Sequence, residues 1–354
     1  MSSEGNYLFW ISVTHFVPQV GFFASTVLGS ILLFLNNIGC QKIFGSYKHL
    51  ISSFTTLGMV FATVEILVFP NVHNYNAGFL FFSFENSLWL DGPKIRNIPL
   101  AGYTFFHSAT ISLLSVLFIY RYWAIFDTQK LLLFKGKKAL LWVAYCSFFG
   151  FQYALGTYFF LELDSISSEY FREEVLIRYH RNISSLPAMS IVAYDPVDGS
   201  VRWWNIMGIL NICSIVNFQY GVLIYCGYTM HTRMEDRIKN FSENMRKHHK
   251  QFFKSLVLQI TAPTIVLFIP ITIIIFLPVF NFNVSFPSGV MLCSFTLYPA
   301  VDSAILMYVV SDYQKTAIKI IHVIRKVLQE MKRSNMTSSV MPTDRTRSVV
   351  LALN

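Results

Sequence analysis

Long apolar runs without a charged residue constrain this chain more than any other feature of its sequence. No Asp, Glu, Lys or Arg occurs from Asn97 to Tyr120, and none occurs between Lys254 and Asp302. A helix needs about 20 mostly apolar residues to cross the hydrocarbon core of a bilayer, so such runs are long enough to span a membrane. Only 13% of the 354 residues are charged, against about 25% in soluble domains. We therefore expect a chain that folds within the bilayer.

Seven stretches of the sequence meet this length requirement. Glu65 is the one charge in the second stretch, and Pro278 and Pro287 help to divide the long run after Lys254 into two spans. The predicted spans are about 10–35, 50–69, 98–120, 139–161, 204–228, 255–279 and 286–310. The sequence thus predicts an all-α membrane protein whose residues 1–333 form a seven-transmembrane helix bundle. Residues 334–354 are rich in Ser and Thr without periodicity and are predicted to be a disordered tail.

The distribution of basic residues predicts how the bundle is oriented. When successive loops are assigned alternately to two sides, 22 of the 28 Lys and Arg residues fall on one side. Cytoplasmic loops carry the excess of Lys and Arg, so we expect the N-terminus outside and the C-terminus inside. The net charge of +9 is then a topology signal, and no nucleic acid is expected as a partner.

Three loop segments are interpreted from this orientation. Residues 312–333 have an apolar and a basic helical face, which predicts an amphipathic helix on the anionic inner leaflet or a plain topology anchor. On the outer side, Asn182 begins an Asn-Ile-Ser glycosylation acceptor sequence. Residues 191–194 and 200–203 flank an Asp-Gly turn and are expected to pair as a hairpin.

The chain lacks the sequence signatures of common enzyme classes. It contains no Gly-x-Ser-x-Gly motif, no Walker loop and no pair of His residues at zinc spacing. His248 and His249 lie in a basic loop and are interpreted as a solvated pair. We expect no enzymatic activity, no cofactor and no bound metal.

Two carboxylates lie within the predicted spans, where a charge at a helix centre costs about 2.5–3.5 kcal/mol. Glu65 lies about one turn from the outer end of span two, and it either faces a ligand cavity or caps the water-facing end. Asp302 lies deeper and follows Pro299, which favours a kink because it frees a backbone carbonyl. Pro263, Pro299 and Asp302 are predicted to form a conformational switch. The alternative for Asp302 is a static hydrogen bond to a neighbouring helix.

Arg121 is the first charge after span three, and Tyr120 and Tyr122 flank it. An Arg at this place either anchors the helix by reaching the interface or acts as a switch that meets a partner at the membrane face. The sequence shows neither the internal repeat of a transporter nor the filter loop of a channel. These observations favour a receptor.

Six segments, in order along the chain, carry a family resemblance. They are residues 44–50, 69–73, 118–124, 194–199, 251–256 and 298–302, the third being Phe-Ile-Tyr-Arg-Tyr-Trp-Ala and the fourth Tyr-Asp-Pro-Val-Asp-Gly. Together they resemble the nematode seven-transmembrane chemoreceptors of the Str class, a branch of the G-protein-coupled receptors. The resemblance implies a receptor on sensory cilia of chemosensory neurons. It would bind a small environmental molecule, such as an odorant, and signal through a heterotrimeric G protein.

The resemblance also implies roles for particular residues. Tyr120, Arg121 and Tyr122 stand where rhodopsin-like receptors carry an acid-Arg-Tyr motif, so we expect them to couple to the G protein. Tyr120 replaces the acid, and an ionic restraint on Arg121 must therefore come from elsewhere. The candidates by topology are Asp127, Glu235 and Asp236.

A small ligand is expected in a largely apolar pocket among the outer halves of spans three, five, six and seven. Tyr103, Phe106 and His107 are the predicted lining residues, and Glu65 is a further candidate. One alternative function is a ligand-gated cation channel of the insect odorant-receptor kind, whose N-terminus lies inside. Another is an orphan receptor that only assembles with other receptors.

Overall fold

Long apolar helices make up most of the structure, because in hydrocarbon the backbone N–H and C=O groups can be satisfied only by one another. The computed structural model describes residues 7–39, 47–85, 90, 92, 94–265, 269–282 and 284–339. In chain order its helices are α1 (Leu8–Gly39), α2 (Tyr47–Val68), α3 (Ile98–Phe126), α4 (Leu140–Phe160), α5 (Ser165–Tyr179), α6 (Trp203–Ile238), α7 (Glu243–Pro263), α8 (Ile269–Phe280), α9 (Gly289–Cys293), α10 (Tyr298–Val309) and α11 (Ser311–Ser339). Its strands are β1 (Asn71–Tyr75), β2 (Gly78–Phe82), β3 (Ala188–Val192) and β4 (Ser285–Phe286).

Six helical stretches of the described chain are long and apolar enough to cross a membrane. Five of them contain α1, α2, α3, α4 and α6, and the last runs from Gly289 to Val309 through α9 and α10. The sixth predicted span corresponds to the end of α7 together with α8. The structure therefore confirms a helical membrane bundle.

Helix α3 is the most deeply buried of these spans, and its small polar residues explain why. Ser108, Ser112 and Ser115 are buried, and small residues let neighbouring helix backbones approach closely. The Ser108 hydroxyl donates a hydrogen bond to the Phe149 carbonyl oxygen of α4 at 2.9 Å. The Ser115 hydroxyl donates to the Ile111 carbonyl oxygen at 3.3 Å, so these two serines find partners while α3 packs against the surrounding helices.

A four-stranded antiparallel sheet, which the sequence did not predict, covers one end of the bundle in the order β3-β2-β1-β4. We call this the sheet end. Strand β2 is apolar along its whole length because both of its faces are covered. Phe79 and Phe81 belong to the core of the helix bundle, whereas Leu80 and Phe82 pack with Phe171 of α5.

The hairpin expected over residues 191–203 forms only next to its turn, and its outer part pairs elsewhere. Ile191 pairs with Phe79 of β2 instead, because β2 offers a buried apolar partner and the expected second strand does not. The Asp-Gly turn is present, since the Asp195 amide donates to the Ser200 carbonyl oxygen at 2.8 Å. Next to the turn, the expected ladder keeps the bridge between Tyr194 and Val201 and the hydrogen bond from the Arg202 amide to the Ala193 carbonyl oxygen at 2.9 Å.

The opposite end of the bundle carries Arg121, and we call it the basic end. Asn36 of α1 is fully buried there and donates hydrogen bonds to the Lys48 carbonyl oxygen at 3.0 Å and the Ser52 hydroxyl at 2.9 Å. It also accepts a hydrogen bond from the Tyr313 hydroxyl at 2.9 Å. This one amide therefore ties α1, α2 and α11 together.

Helix α11 follows almost directly after α10. It includes residues 312–333, for which the sequence predicts an amphipathic helix. Apolar side chains at Ile318, Ile321 and Leu328 are exposed along it. Of the segment predicted as a disordered tail, residues 334–339 are helical in α11. Residues 340–354 lie outside the described part of the chain.

Candidate functional site

A cavity lies directly beneath the sheet, and we call it the central cavity. The volume of the central cavity is about 80 Å³, which is several times the roughly 10–15 Å³ that one water needs. Its lining residues include Phe79 and Phe81 of β2, Tyr103, Thr104 and His107 of α3, Tyr153 and Thr157 of α4, Ile212 and Val216 of α6, and Thr272 and Ile275 of α8. Aromatic and aliphatic groups with a few hydroxyls are typical of sites for small, largely apolar molecules.

Two of the three α3 residues predicted to bind ligand line this cavity. The Tyr103 ring stacks on Phe61 of α2 with 5.3 Å between ring centres. The His107 ring packs edge-on against Phe295 at 4.9 Å. Phe106 is half-buried against the core and is not among the described residues that line the cavity.

Glu65 lies behind this cavity and does not cap a water-facing helix end, because its side chain is fully buried. Its polar neighbours are the hydroxyls of Tyr103 and Thr296. Neither carboxylate oxygen reaches hydrogen-bond geometry with any group in the described part of the chain. Glu65 therefore adjoins the central cavity through Tyr103 without lining it.

Arg121 is held between two aromatic rings at the basic end. Its guanidinium carbon lies 3.4 Å from the ring centre of Tyr47 and 3.6 Å from that of Phe252. A cation stacked on aromatic faces gains about 0.5–2 kcal/mol per contact, more where water is excluded. Only 7% of Arg121 is exposed, so α2 and α7 cover the side chain.

An ionic restraint on Arg121 by a loop acid is wrong for this structure. Each of the three candidate acids lies within ion-pair distance of a lysine instead. The pairs are Asp127 with Lys130 at 3.0 Å, Glu235 with Lys250 at 2.7 Å and Asp236 with Lys239 at 2.6 Å. These acids lie in solvated segments where a flexible lysine reaches them easily, whereas Arg121 points into an aromatic interior.

The residues around Arg121 face in different directions. The Tyr120 ring is buried beside Tyr47, with 5.2 Å between ring centres, whereas Tyr122 packs on Tyr225 of α6 at 5.9 Å. The adjacent His248 and His249 are buried and line a small cavity together with Arg121. The interpretation of these histidines as a solvated pair is therefore wrong, since α7 continues through them.

Asp302 joins the last two spans through one hydrogen bond. The Gln259 side-chain amide of α7 donates to Asp302 Oδ1 at 2.7 Å, and both residues are buried. The structure thus contains the interhelical hydrogen bond that was the alternative for Asp302. If either side chain is replaced by an apolar one, the other remains in the bundle interior as a polar group without this hydrogen bond.

Pro263 and Pro299 lie at helix ends and not in the middle of a helix, where a proline would produce a kink. Pro299 lies in the first turn of α10, directly after a 3₁₀ turn over Ser294–Leu297. A proline there costs no hydrogen bond because its missing N–H would have no partner within the helix. Pro263 is the last residue of α7, and its side chain lies outside the described part of the structure.

A buried polar cluster fastens the sheet end. Glu174 of α5 accepts hydrogen bonds from Arg178 at 3.1 Å and Ser285 at 2.5 Å, and His73 Nε2 lies 3.3 Å from the same oxygen. Burial raises the pKa of Glu174, but these neighbours outweigh it and lower the pKa to about 2. Burial lowers the pKa of His73, so Arg178 is the cation that pairs with Glu174 near pH 7. The Tyr179 hydroxyl lies 3.0 Å from His73 Nδ1.

Asn182, the predicted glycosylation site, is also at the sheet end. Its side chain is exposed, and its amide oxygen accepts a hydrogen bond from the Ser184 amide at 3.0 Å. The acceptor sequence is therefore on the surface.

Comparison with known proteins identifies the family. The model of a family described as serpentine type 7TM GPCR chemoreceptor Str matches residues 14–318. The chain belongs to this family. The G-protein coupled receptor str-33 of Caenorhabditis elegans is 36% identical to the receptor over 303 residues, covering 84% of this chain and 88% of its own. The serpentine receptor class r-10 of Caenorhabditis briggsae is 28% identical over 338 residues, covering 94% and 97%.

Family membership confirms the resemblance noted in the sequence. The protein is a multi-pass, seven-transmembrane chemoreceptor of the G-protein-coupled type, and its relatives are nematode receptors. The family is a receptor family rather than an enzyme family. Neither the family match nor these relatives favour the cation-channel alternative.

Proposed function

We propose that this receptor binds a small, uncharged and largely apolar molecule in the central cavity and activates a heterotrimeric G protein at the basic end. The observation that carries the proposal is the position of α3. Tyr103 and His107 of this helix line the cavity, and Arg121 lies 18 residues after Tyr103, about 27 Å along the same helix axis. A change in the packing of α3 at the cavity therefore reaches the aromatic residues that cover Arg121.

The proposed mechanism is a population shift between two arrangements of the helices. In the described arrangement Tyr47 and Phe252 cover Arg121, and the bond between Gln259 and Asp302 holds α7 to α10. A ligand that fits a rearranged cavity better than the described one stabilises a state in which α7 moves away from α3. Arg121, with Tyr120 and Tyr122 beside it, then becomes accessible to the G protein.

A screen of small volatile alcohols, ketones and esters tests this proposal, with calcium as the readout in cells that express the receptor and a promiscuous Gα subunit. Val216→Trp fills the central cavity and should abolish the response to any active compound. Leu210→Trp, an exposed position on the same helix, should preserve it. Arg121→Ala should abolish signalling at normal surface level. An unchanged ligand response in Arg121→Ala would refute the role of Arg121.

We also propose that the sheet end faces outward and that the receptor works in sensory cilia. The orientation is supported by the 22 Lys and Arg residues assigned to the other side. Asn182→Gln should remove a glycan-dependent mobility shift, whereas Asn240→Gln, in an acceptor sequence of the basic end, should leave it unchanged. The opposite result would reverse the orientation. A fluorescent fusion confined to the cell body would contradict the ciliary site.

A further inference from the structure

A second cavity lies between α6 and α8, and we call it the side cleft. The volume of the side cleft is about 530 Å³. Its lining is mainly apolar and includes Cys213 from α6 and Ile273 and Phe276 from α8. The polar Asn217 of α6 also lines it. The proposal below rests on the proposed function, because it concerns how a ligand reaches the central cavity.

The side cleft and the central cavity have a common wall. Four residues line both of them, namely Ile212, Val216, Thr272 and Ile275. Two of the four lie on α6 and two on α8, so this wall is formed by both helices. The side cleft thus adjoins the central cavity, and these four side chains lie between the two.

Apolar side chains are exposed at the mouth of the cleft and buried at its base. Ile269 and Ile273 of α8 are 50% and 57% exposed at the mouth, whereas Ile212 and Ile275 at the base are 7% and 9% exposed. Ile269 and Ile273 make the surface at the mouth apolar. In a bundle that spans a membrane, such a surface faces the hydrocarbon rather than water.

Two described hydrogen bonds join the sixth span to α6 and to the segment before α6, one towards each end of the cleft. Near the basic end the Tyr220 hydroxyl lies 3.1 Å from the Thr264 hydroxyl. Near the sheet end the Tyr194 hydroxyl donates to the Val279 carbonyl oxygen at 2.7 Å. The isoleucines Ile212, Ile273 and Ile275 line the region between them, and such side chains can change rotamer without breaking a hydrogen bond of their own.

The sheet covers the central cavity from the other direction. Every residue of β2 and β3 is buried, and α5 packs over their far side through Phe171 and Val175. A direct path from water would have to separate paired strands. The side path needs only side-chain movements.

We propose that the ligand partitions into the bilayer and enters the central cavity sideways, through the side cleft between α6 and α8. The ligand class is then an uncharged aliphatic or aromatic molecule that dissolves in hydrocarbon. It carries one or two polar atoms that the hydroxyls of Thr104, Thr157 or Thr272 can bind. A charged ligand would be excluded because it would have to cross hydrocarbon to reach the cleft.

Photolabelling of the full-length receptor in lipid nanodiscs tests this route. The probe is an eight-carbon alcohol that carries an aliphatic diazirine; light releases N₂ and leaves a carbene that inserts into a nearby X–H bond. Mass spectrometry measures adducts on Tyr103 and His107 after brief exposure and after equilibration. The wild-type receptor should form adducts on both residues and also in the side cleft.

Variants at the mouth provide the decisive comparison. Ile273→Trp on α8 and Cys213→Trp on α6 should each slow cavity labelling by about tenfold, while Leu210→Trp should change it by less than about twofold. Ile273→Ala widens the mouth and should accelerate labelling. This variant still tests the route if size-exclusion chromatography shows that the Trp variants fold poorly. Labelling after equilibration should remain close to wild type in every folded variant.

Two outcomes would overturn the proposal. Cavity labelling at an unchanged rate in both Trp variants and in Ile273→Ala would show that the probe enters elsewhere. Adducts confined to the side cleft would show that the cleft holds a lipid chain and does not lead to the cavity. Because labelling needs no G protein, loss of the route and loss of signalling are measured separately.

Discussion

The guanidinium carbon of Arg121 lies 3.4 Å from the ring centre of Tyr47, a residue at the start of a different helix. Phe252 covers the other face of the same guanidinium at 3.6 Å. No acid of the described residues pairs with this buried cation, so release of Arg121 requires separation of aromatic surfaces rather than the breaking of an ion pair. Salt should therefore affect this restraint weakly.

We expect Phe252→Leu to raise signalling in the absence of ligand. Leucine keeps the site apolar but removes one aromatic face, a loss of about 0.5–2 kcal/mol, which corresponds to a roughly twofold to thirtyfold rise in basal activity. The measurement is second-messenger output normalised to surface level. Phe253→Leu, at the neighbouring half-buried position, is the matched control. Equal basal activity in the two variants would contradict a restraining role for Phe252.

The hydrogen bond between Gln259 and Asp302 predicts an asymmetry between two substitutions. Gln259→Leu removes the described donor to a buried carboxyl group and should lower the free energy of unfolding by about 1–3 kcal/mol. Asp302→Asn keeps an oxygen acceptor at the same place and should cost less. Thermal unfolding of the purified receptor measures both effects. A larger loss for Asp302→Asn would mean that the negative charge itself is required.

Glu65 is expected to destabilise the empty receptor. Its carboxylate oxygens have no hydrogen-bond partner in the described structure, and a buried polar group in that state costs about 1–3 kcal/mol. Glu65→Leu, which removes the polar group, should therefore raise the thermal unfolding temperature, and Glu173→Leu, at an exposed position on α5, should leave it nearly unchanged. A lower unfolding temperature for Glu65→Leu would show that a charged or water-mediated contact supports the carboxylate.

Gly78 should not tolerate even one added methyl group. A Cβ atom there would lie 2.4 Å from Phe171 Cζ and 2.8 Å from Tyr170 Cε1, and such overpacking typically costs about 1–3 kcal/mol. Gly102→Ala is the matched control, because a Cβ at Gly102 meets no heavy atom within 4 Å. We expect lower surface expression and thermal stability for Gly78→Ala only. Equal stability would mean that α5 can move away from β2.

The buried His73 predicts a pH dependence at the sheet end. Burial lowers its pKa below the ordinary value, so the unfolded chain binds a proton more readily than the folded one. The free energy of unfolding should then fall as the pH drops below about 6.5. Glu174, with a pKa of about 2, remains ionised in this range. Its stabilising contribution is lost only between about pH 4.5 and pH 2.

His73→Gln should reduce the loss of stability between about pH 7.5 and pH 5.5, because the side chain at this position no longer titrates. Thermal unfolding at the two pH values measures the difference. His180→Asn changes an exposed histidine at the end of α5 and keeps a residue that accepts its positive φ of 53°. The control should show the wild-type pH dependence. Identical behaviour of the two variants would exclude His73 as the source.

The membrane bundle and its family were readable from the sequence. Runs such as the one from Asn97 to Tyr120 specify helices directly, since a backbone in hydrocarbon has no other way to satisfy its polar groups. Their place near the start of span three predicted Tyr103, Phe106 and His107 as lining residues, and two of these three line the central cavity. These features depend on residues close together in the chain.

Tertiary structure alone decided which residues meet. Tyr47 and Phe252 are ordinary aromatic residues in the sequence, and only the packing of α2 and α7 against α3 places them on Arg121. Ile191 was expected to pair locally, but burial by the bundle and α5 made β2 the better partner. The side cleft likewise depends on the gap between α6 and α8. Long-range packing sets each of these contacts, and local periodicity carries no information about it.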